Sequence, residues 1–403
     1  MIKRLARRLR RVLDPAPLAP AAAAERGRDR AGLPDPDPGI ERAVDEAVAW
    51  LGRAQDHSRT QDGGVARHYS LLDGWGGSYP ETTGYIVPTL LDIARIRGGP
   101  IAEEARRRAR RMLDWLVSIQ FPEGGFQGGM IDQEPVVPVT FNTGQILLGL
   151  AAGVEEFGEA YIEPMRRAAD WLVTTQDPDG CWRKYPTPFA APGEKAYETH
   201  VAWGLLEAAR AEGSAGGTRY ADSALANVSW ALNHQAANGW FAKCCLEDED
   251  QPLSHTLGYL LRGLVEAYLF AKDPALLKAA MKTADGLLSA IRADGYLPGR
   301  IGRNWRGTVR WSCLTGSAQV AGCWLLLHEQ TGRPSYRDAA RAANQYVRRT
   351  IKVEGPPETR GAVKGSFPID GGYCTFLYPN WACKFFVDSN LLERRILSEG
   401  EAH

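Results

Sequence analysis

The 403-residue sequence has no net charge and no long apolar segment. Its 48 lysines and arginines balance its 48 aspartates and glutamates, so the formal net charge at pH 7 is zero. General nucleic-acid binders need a basic surface, and this balance excludes that class of protein. The sequence has no run of about 18 apolar residues, so we expect no transmembrane helix.

The cysteines lack the spacing of a disulfide framework. The seven are scattered, odd in number, and no two are separated by only two residues. This pattern favours reduced thiols in the cytoplasm. The N-terminus also lacks the apolar core of a secretory signal peptide. The sequence therefore predicts a cytoplasmic protein.

Residues 1–39 differ in composition from the rest of the chain. Ile2, Leu5, Leu9 and Leu13 fall on one helical face among lysines and arginines. Residues 1–13 thus predict a basic amphipathic helix that could contact the inner membrane, with a solvated tail as the alternative. Residues 15–39, rich in Pro, Ala and Asp, predict a flexible linker. We expect the folded domain to span residues 40–403.

What the sequence does contain is a repeated helical pattern after Gly39. Six charged amphipathic segments align, at intervals of 56–65 residues, on Trp50, Trp115, Trp171, Trp230, Leu287 and Tyr346. Six segments rich in small and apolar residues alternate with them, as expected for buried inner helices. A single helical hairpin cannot bury its apolar side alone and must stack on its neighbours.

Six such hairpins predict an all-α (α/α)6 toroid. The count of six favours closure, although periodicity alone would also permit an open superhelix. The short segments "VVPVTF" and "GWFAKC" indicate small β-hairpins at one rim of the ring.

The outer helices end in a recurring turn. One example is "WLVTTQDPDGCW", and related versions are "WLVSIQFPEGGF" and "WALNHQAANGW". These segments resemble the QW repeat of the squalene cyclase and prenyltransferase-β superfamily, and the resemblance covers most of residues 40–395. It implies a toroid in which the turns staple the outer helices together, and it implies little about chemistry.

Several chemistries of that superfamily lack their motifs here. The D-x-D-D motif of triterpene cyclases is absent, which disfavours the alternative of an isoprenoid cyclase. Asp370 and Cys374 resemble two ligands of the prenyltransferase zinc site, but the third ligand, a histidine, is missing. The Cys-His pair of lanthionine synthetase-like toroids is absent as well. We therefore expect no metal and no cofactor.

Carbohydrate chemistry is the other large use of this ring, in toroidal glycoside hydrolases, polysaccharide lyases and sugar epimerases. The segment "YPNWACKFFVDSNLL" also resembles the last helix of toroid proteins from bacterial polysaccharide gene clusters. The resemblance implies an enzyme that acts on an acidic or acylated glycan in surface-polysaccharide metabolism. A non-catalytic glycan-binding toroid is a further alternative.

The candidate site residues lie in the long loops before the inner helices, where helix N-termini offer free N–H groups. The catalytic candidates are two possible bases and three carboxyl groups: His200, His255, Glu198, Glu81 and Asp370. The candidates for substrate binding are Asn142, Tyr197, Arg303, Trp305, Arg310, Trp311 and Tyr373.

Three reactions remain open at this point. A uronate lyase or epimerase needs a base and a cation or amide that stabilises an enolate-like charge. A glycoside hydrolase instead needs two carboxyl groups, about 5–5.5 Å apart if retaining and about 6.5–9.5 Å apart if inverting. Convergence of His200, His255 and Arg310 on one point would favour uronate chemistry, and divergence of the three would overturn that hypothesis. Each candidate also has a purely structural alternative, such as capping a helix or packing in the core.

Overall fold

The computed structural model describes residues 18–213 and 216–401. The predicted membrane-binding helix at residues 1–13 lies outside the described residues. Within them, a short helix α1 (Pro20–Arg30) precedes twelve helices that alternate around a ring. No helix in these two ranges is long and apolar enough to cross a bilayer.

The outer layer carries the six charged amphipathic helices. They are α2 (Ile40–Asp56), α4 (Gly99–Ile119), α6 (Ile162–Thr175), α8 (Thr218–Leu232), α10 (Pro274–Ala290) and α12 (Pro334–Thr350). Their aligned large side chains, from Trp50 to Tyr346, are all buried against the inner layer. The repeat alignment thus marks the inward face of the outer helices.

The inner layer carries the small and apolar helices. They are α3 (Pro80–Ile96), α5 (Thr140–Phe157), α7 (Thr199–Glu212), α9 (Ser254–Ala271), α11 (Leu314–Thr331) and α13 (Asn380–Glu401). Each inner helix packs against the next, and α13 packs against both α3 and α2. These contacts close the ring, so the predicted (α/α)6 toroid is confirmed and the open superhelix is wrong.

The recurring turn after the outer helices is a staple. Gln176, after α6, donates from Nε2 to the carbonyls of Gly180 in its own turn and Ser223 in α8, both at 2.9 Å. Gly180 has a positive φ of 92°, and a Cβ there would lie 2.4 Å from the Ala226 carbonyl oxygen. The glutamines at or just after the ends of α2, α4 and α8 also donate to a carbonyl of the following outer helix: Gln55, Gln120 and Gln235.

Short strands form at the rim, though mostly outside the segments predicted for them. β1 (His68–Ser70) pairs with β2 (Gly74–Trp75) and with β5 (Leu377–Pro379), and β3 (Ser312–Cys313) pairs with β4 (Ser366–Phe367). The segments "VVPVTF" and "GWFAKC" form only single bridges. The β1–β5 pair joins the first long loop to the last one and so links the two ends of the repeat array.

The linker prediction for residues 15–39 is wrong over α1. This helix packs on the ring, with Ala22, Glu25 and Asp29 buried. Its contacts are charged: Glu25 and Asp29 bind Lys364, which lies in the loop after α12. The low apolar content of α1 concealed this, because buried ion pairs rather than apolar side chains attach the helix.

Candidate active site

A cavity of about 160 Å³ lies at the end of the ring where the inner helices begin. The starts of α3, α5, α9 and α13 and the loops before them supply its walls. Its lining includes Arg67, Tyr79, Glu81, Phe141, Asn142, Tyr197, His255, Tyr259, Tyr373, Cys374 and Trp381. Five of the predicted site residues therefore share one cavity: Glu81, Asn142, Tyr197, His255 and Tyr373.

Glu81 is the second residue of α3 and is buried in the cavity wall. Burial raises the pKa of its carboxyl to about 7, against the opposing influence of the Tyr79 hydroxyl and the Arg67 charge. The Tyr79 hydroxyl donates a hydrogen bond to Glu81 Oε2 at 2.8 Å. Near neutral pH this carboxyl is therefore present in both protonation states, which suits a general acid.

His255 is the second residue of α9 and presents a neutral imidazole to the cavity. Its Nδ1 lies 2.7 Å from Oε1 of Gln319 on α11. An amide oxygen only accepts, so Nδ1 carries the proton and Nε2 keeps a lone pair. Burial lowers the pKa of His255 to about 4, which keeps the ring uncharged at neutral pH. The neutral ring and the free Nε2 lone pair let His255 accept a proton, while its low pKa makes it a weaker base than an ordinary histidine.

Arg67 supplies a cation that the sequence did not single out. It lies in the loop just before β1, and its guanidinium sits 4.9 Å from the ring centre of Trp381 and 5.7 Å from that of Tyr79. No carboxylate forms an ion pair with Arg67 in the described part of the chain. A half-buried guanidinium without a carboxylate partner is suited to bind an anionic ligand.

Asn142, the third residue of α5, adds an unsatisfied donor. Its side chain is 2% exposed, and its Nδ2 has no hydrogen-bond partner among the described residues. A buried amide donor normally has a partner, so this group is available to a ligand in the cavity.

His200 does not line the cavity. It is fully buried one layer deeper, where its ring packs between those of Tyr259 and Trp203 at 4.6 and 5.0 Å. Its Nδ1 contacts Oε1 of Gln145 at 2.6 Å, while Nε2 has no partner in the described ranges. Although His200 starts its helix as His255 does, its side chain points into the helix layer.

The other two predicted carboxyl groups also lie outside the cavity. Glu198 is buried beside it, and burial raises the pKa of Glu198 to about 8. Asp370 forms an ion pair with Arg30 of α1 at 2.7 Å. Among the described residues, Glu81 is thus the one carboxyl group that lines the cavity. Neither Glu198 nor Asp370 faces Glu81 across this cavity.

The predicted binding residues after α10 lie elsewhere on the rim. Arg303 is exposed and pairs with Asp250 at 3.1 Å, and Arg310 is exposed. Trp305 is buried against Trp240, with ring centres 5.2 Å apart, and donates to the Asn238 carbonyl. Trp311 packs against glycines of two loops, where a Cβ on Gly299 would lie 2.1 Å from its ring. These tryptophans hold loops together. His200 and Arg310 do not converge with His255, so the uronate hypothesis in the form that used these three residues fails.

A wider opening of about 1280 Å³ lies at the opposite end of the ring. Its buried charges are already paired: Lys384 with Asp388 at 2.5 Å, and Arg262 with Glu266 at 2.7 Å. The smaller cavity is therefore the better candidate, because in the described part of the chain its cation has no carboxylate partner and its amide donor has no hydrogen-bond partner. No group of three or more His, Cys, Asp or Glu residues in the described ranges is arranged to hold a metal ion.

Comparison with known proteins identifies relatives by shape. The sequence matches no protein-family model and no curated protein sequence. The structure is similar to that of an unsaturated glucuronyl hydrolase specific for heparin, with a TM-score of 0.70 and 16% identity over 89% of this chain and 98% of that one. A sugar epimerase from a ruminal bacterium has a TM-score of 0.70 at 12% identity, covering 88% and 98% of the two chains.

A third similar structure is cellobiose 2-epimerase from Bacillus thermoamylovorans. Its TM-score is 0.68 at 9% identity, covering 92% of this chain and all of that one. At these identities the similarity establishes the fold. The chain therefore has the (α/α)6 toroid fold that these glycan-processing enzymes also have.

Proposed function

We propose that this protein is an enzyme that performs acid–base chemistry on an acidic, uronate-type sugar of a glycan. The observation that carries the proposal is that Glu81, His255 and Arg67 line one cavity. They supply an acid, a base and a carboxylate-binding cation within a single small volume. The toroid fold of the similar hydrolase and epimerases agrees with this chemistry.

In the proposed complex, Arg67 binds the sugar carboxylate and Asn142 Nδ2 donates a hydrogen bond to it. Among the described residues Arg67 has no carboxylate partner, only His68 Nδ1 at 3.2 Å from its Nη1, and Asn142 Nδ2 has no hydrogen-bond partner. The cavity is smaller than the roughly 300–1,000 Å³ typical of drug-sized ligands, which favours a single sugar ring. Tyrosine and tryptophan side chains around it would pack against the faces of that ring.

The proposed reaction begins when His255 Nε2 removes the proton from the carbon next to the carboxylate. Arg67 and Asn142 stabilise the negative charge that moves onto the carboxylate oxygens. Glu81 then delivers a proton, either to that carbon from the other face or to a departing glycosidic oxygen. The first course is epimerisation and the second is a lyase reaction. Because one carboxyl group lines the cavity, both are favoured over a hydrolase that needs two.

One experiment separates these reactions. The full chain is incubated in deuterated water with uronate-containing oligosaccharides, and separately with oligosaccharides that carry an unsaturated uronate end. A rise in ultraviolet absorbance identifies a lyase, and deuterium uptake without a rise identifies an epimerase. A fall in absorbance with the unsaturated substrates identifies a hydrolase. Binding without any of these changes would leave a non-catalytic glycan-binding toroid and contradict the proposal.

Matched arginine variants test the substrate class. Arg67→Gln is expected to raise KM for acidic sugars about tenfold or more, because a charged hydrogen bond is lost. It should leave neutral sugars unaffected. Arg310→Gln removes an exposed arginine outside the cavity and should change neither. Equal effects of the two substitutions would contradict a carboxylate-binding role for Arg67.

One feature of the cavity supports the alternative of an isoprenoid cyclase, which the QW-like turns suggested. The cavity is rich in aromatic side chains and holds a single carboxyl group, as a cavity for carbocation chemistry would. Arg67 opposes this alternative, because a cation there repels a carbocation. Turnover of an isoprenoid diphosphate or epoxide would overturn the glycan proposal in its favour.

We place this activity in cytoplasmic surface-polysaccharide metabolism, with residues 1–13 contacting the inner membrane. The basic amphipathic pattern of those residues is the support. Co-sedimentation with anionic vesicles tests the contact. Binding that persists after residues 1–13 are deleted, or that is equal with neutral vesicles, would contradict it.

A further inference from the structure

Lys364 is a buried charge that the proposed reaction does not use. Its side chain is 1% exposed and lies between two acids of α1. Lys364 Nζ is 2.6 Å from Glu25, and it also binds Asp29. Both acids are buried as well. A buried ammonium group is stable only when such partners remain in place.

Asp29 holds the loop after α12 at two points. One carboxylate oxygen binds the Lys364 ammonium, and the other accepts the backbone N–H of Ile369 at 2.8 Å. A neighbouring pair, Arg30 with Asp370, joins the same two elements but is exposed, with Arg30 62% accessible. The buried contacts of Asp29 therefore carry more of the attachment than the exposed pair does.

The held loop continues directly into the cavity wall. Ser366 Oγ donates to the carbonyl of Tyr373 at 2.7 Å and accepts its N–H at 3.1 Å. The Tyr373 hydroxyl accepts a hydrogen bond from Trp381 Nε1 at 3.0 Å. The Tyr373 ring packs against His255, with ring centres 5.4 Å apart. A continuous set of contacts thus runs from α1 to the proposed base.

We infer that Asp29 is a positioning residue, which acts through Lys364 and the Ile369 backbone to hold Tyr373 against His255. α1 is then part of the active-site structure, although it precedes the toroid in the chain. The effect on turnover rests on the proposed function, whereas the effect on the loop does not. Loss of the Asp29 charge would leave Lys364 with one buried acid in place of two.

Hydrogen exchange on the full chain tests the coupling. Asp29→Asn keeps the size of the side chain and an oxygen for Ile369, but it removes the charge that faces Lys364. We expect amide exchange at residues 364–373, including the Tyr373 amide, to speed up roughly tenfold or more. Exchange in the distant helix α7 should stay unchanged. Arg30→Gln, which breaks only the exposed pair, is the matched control and should exchange as the wild type does.

A double variant keeps the test decisive if Asp29→Asn is poorly folded. Combining Asp29→Asn with Lys364→Met removes the under-compensated buried charge, so slow exchange at residues 364–373 should return.

With a uronate substrate, Asp29→Asn should lower kcat more than it raises KM, because Arg67 remains in place. Exchange in Asp29→Asn equal to that in Arg30→Gln would overturn the inference. The inference would also be overturned if Asp29→Asn speeds exchange at residues 364–373 in an active enzyme but leaves kcat unchanged. If the wild type lacks glycan activity, the proposed function fails and the exchange data still decide the coupling.

Discussion

At the scale of single residues, burial determines what each titratable group can do. Glu81 and Glu198 are both buried carboxyl groups near helix starts, and burial raises the pKa of each. Only Glu81 lines the cavity, where its proton can reach a substrate. The sequence identified both residues by their position before a helix. It could not separate them, because the direction of a side chain at a helix start depends on packing.

The first prediction concerns the pH dependence of activity. Turnover should fall as pH rises through about 7, because Glu81 then loses the proton it must donate. It should also fall as pH drops through about 4, because His255 then gains a proton and stops acting as a base. Glu81→Gln should lower kcat by about 10²–10⁴-fold and abolish the alkaline limb. The measurement is kcat/KM against pH, because this ratio reports the pKa values of the free enzyme.

Asp370→Asn is the control for that prediction, since Asp370 is a carboxyl group outside the cavity. It should retain both limbs and most of the activity. An alkaline limb that persists in Glu81→Gln would assign the titration to another group.

The second prediction concerns stability. Burial raises the pKa of Glu198 from 4.5 to about 8 in the folded protein, so folding favours its protonated form. Stability from this group is present at low pH and is lost as pH rises towards 8, since each tenfold difference in proton affinity corresponds to about 1.4 kcal/mol. Glu198→Gln cannot ionise, so its stability should exceed that of the wild type increasingly between about pH 5 and pH 9. Urea denaturation at several pH values measures this, and a difference that does not change with pH would refute it.

At the scale of elements, a glutamine at or just after the end of each of four outer helices ties that helix to the next one. The third prediction is that Gln176→Ala destabilises the fold by about 1–3 kcal/mol, because the Ser223 carbonyl loses the Gln176 amide and the Gly180 carbonyl is left with Asn227 Nδ2 alone. Gln345→Ala, at an exposed site on α12, should change stability little. Urea midpoints compare the two, and equal midpoints would mean that the staple adds nothing to stability.

Elements also show where sequence-based prediction succeeds. The twelve ring helices follow from local periodicity, because each buries one face or nearly all of its surface. Local periodicity did not predict α1, because its attachment through Lys364 depends on a loop more than 300 residues further along the chain. Periodicity did not predict the rim strands either, because a strand of two or three residues is too short to show a repeat.

At the scale of the whole molecule, closure of the ring depends on contacts between its first and last helices. Gly361, in the turn after α12, has a φ of 78°, and a Cβ there would lie 1.9 Å from the Glu46 carbonyl oxygen of α2. Gly355 has a similar positive φ of 102° but faces open space. A residue with a side chain would be strained by the positive φ at either position. Only at position 361 would its Cβ also meet α2, the helix that closes the ring.

The fourth prediction uses this pair. Gly361→Ala should be less stable than Gly355→Ala by about 1–3 kcal/mol, because only the first forces the turn away from α2. Thermal and urea unfolding of both variants measure the difference. Equal losses would indicate that the effect is backbone strain alone and that the closing contact is loose.

Arg67 shows why the candidate site was only partly predictable. Five of the candidates that the sequence offered in the loops before the inner helices line one cavity: Glu81, Asn142, Tyr197, His255 and Tyr373. Arg67 lies in one of those loops but reaches the cavity because β1 pairs with β5. Arg310 lies in an equivalent loop whose tryptophans turn it towards solvent. The local sequence identifies the loop before an inner helix. Strand pairing between distant parts of the chain determines which side chain of that loop reaches the cavity.

The pairing of β1 with β5 also constrains when the cavity can form during synthesis of the chain. Asn380 donates a hydrogen bond to the Ala66 carbonyl, a contact between residues 314 positions apart, right beside Arg67 and Trp381. On the ribosome, the arginine is therefore made long before the tryptophan that it rests on. A nascent chain can build most of the helical layers while this wall of the cavity is still missing. Catalytic competence would then arrive only after synthesis has passed the start of the last inner helix.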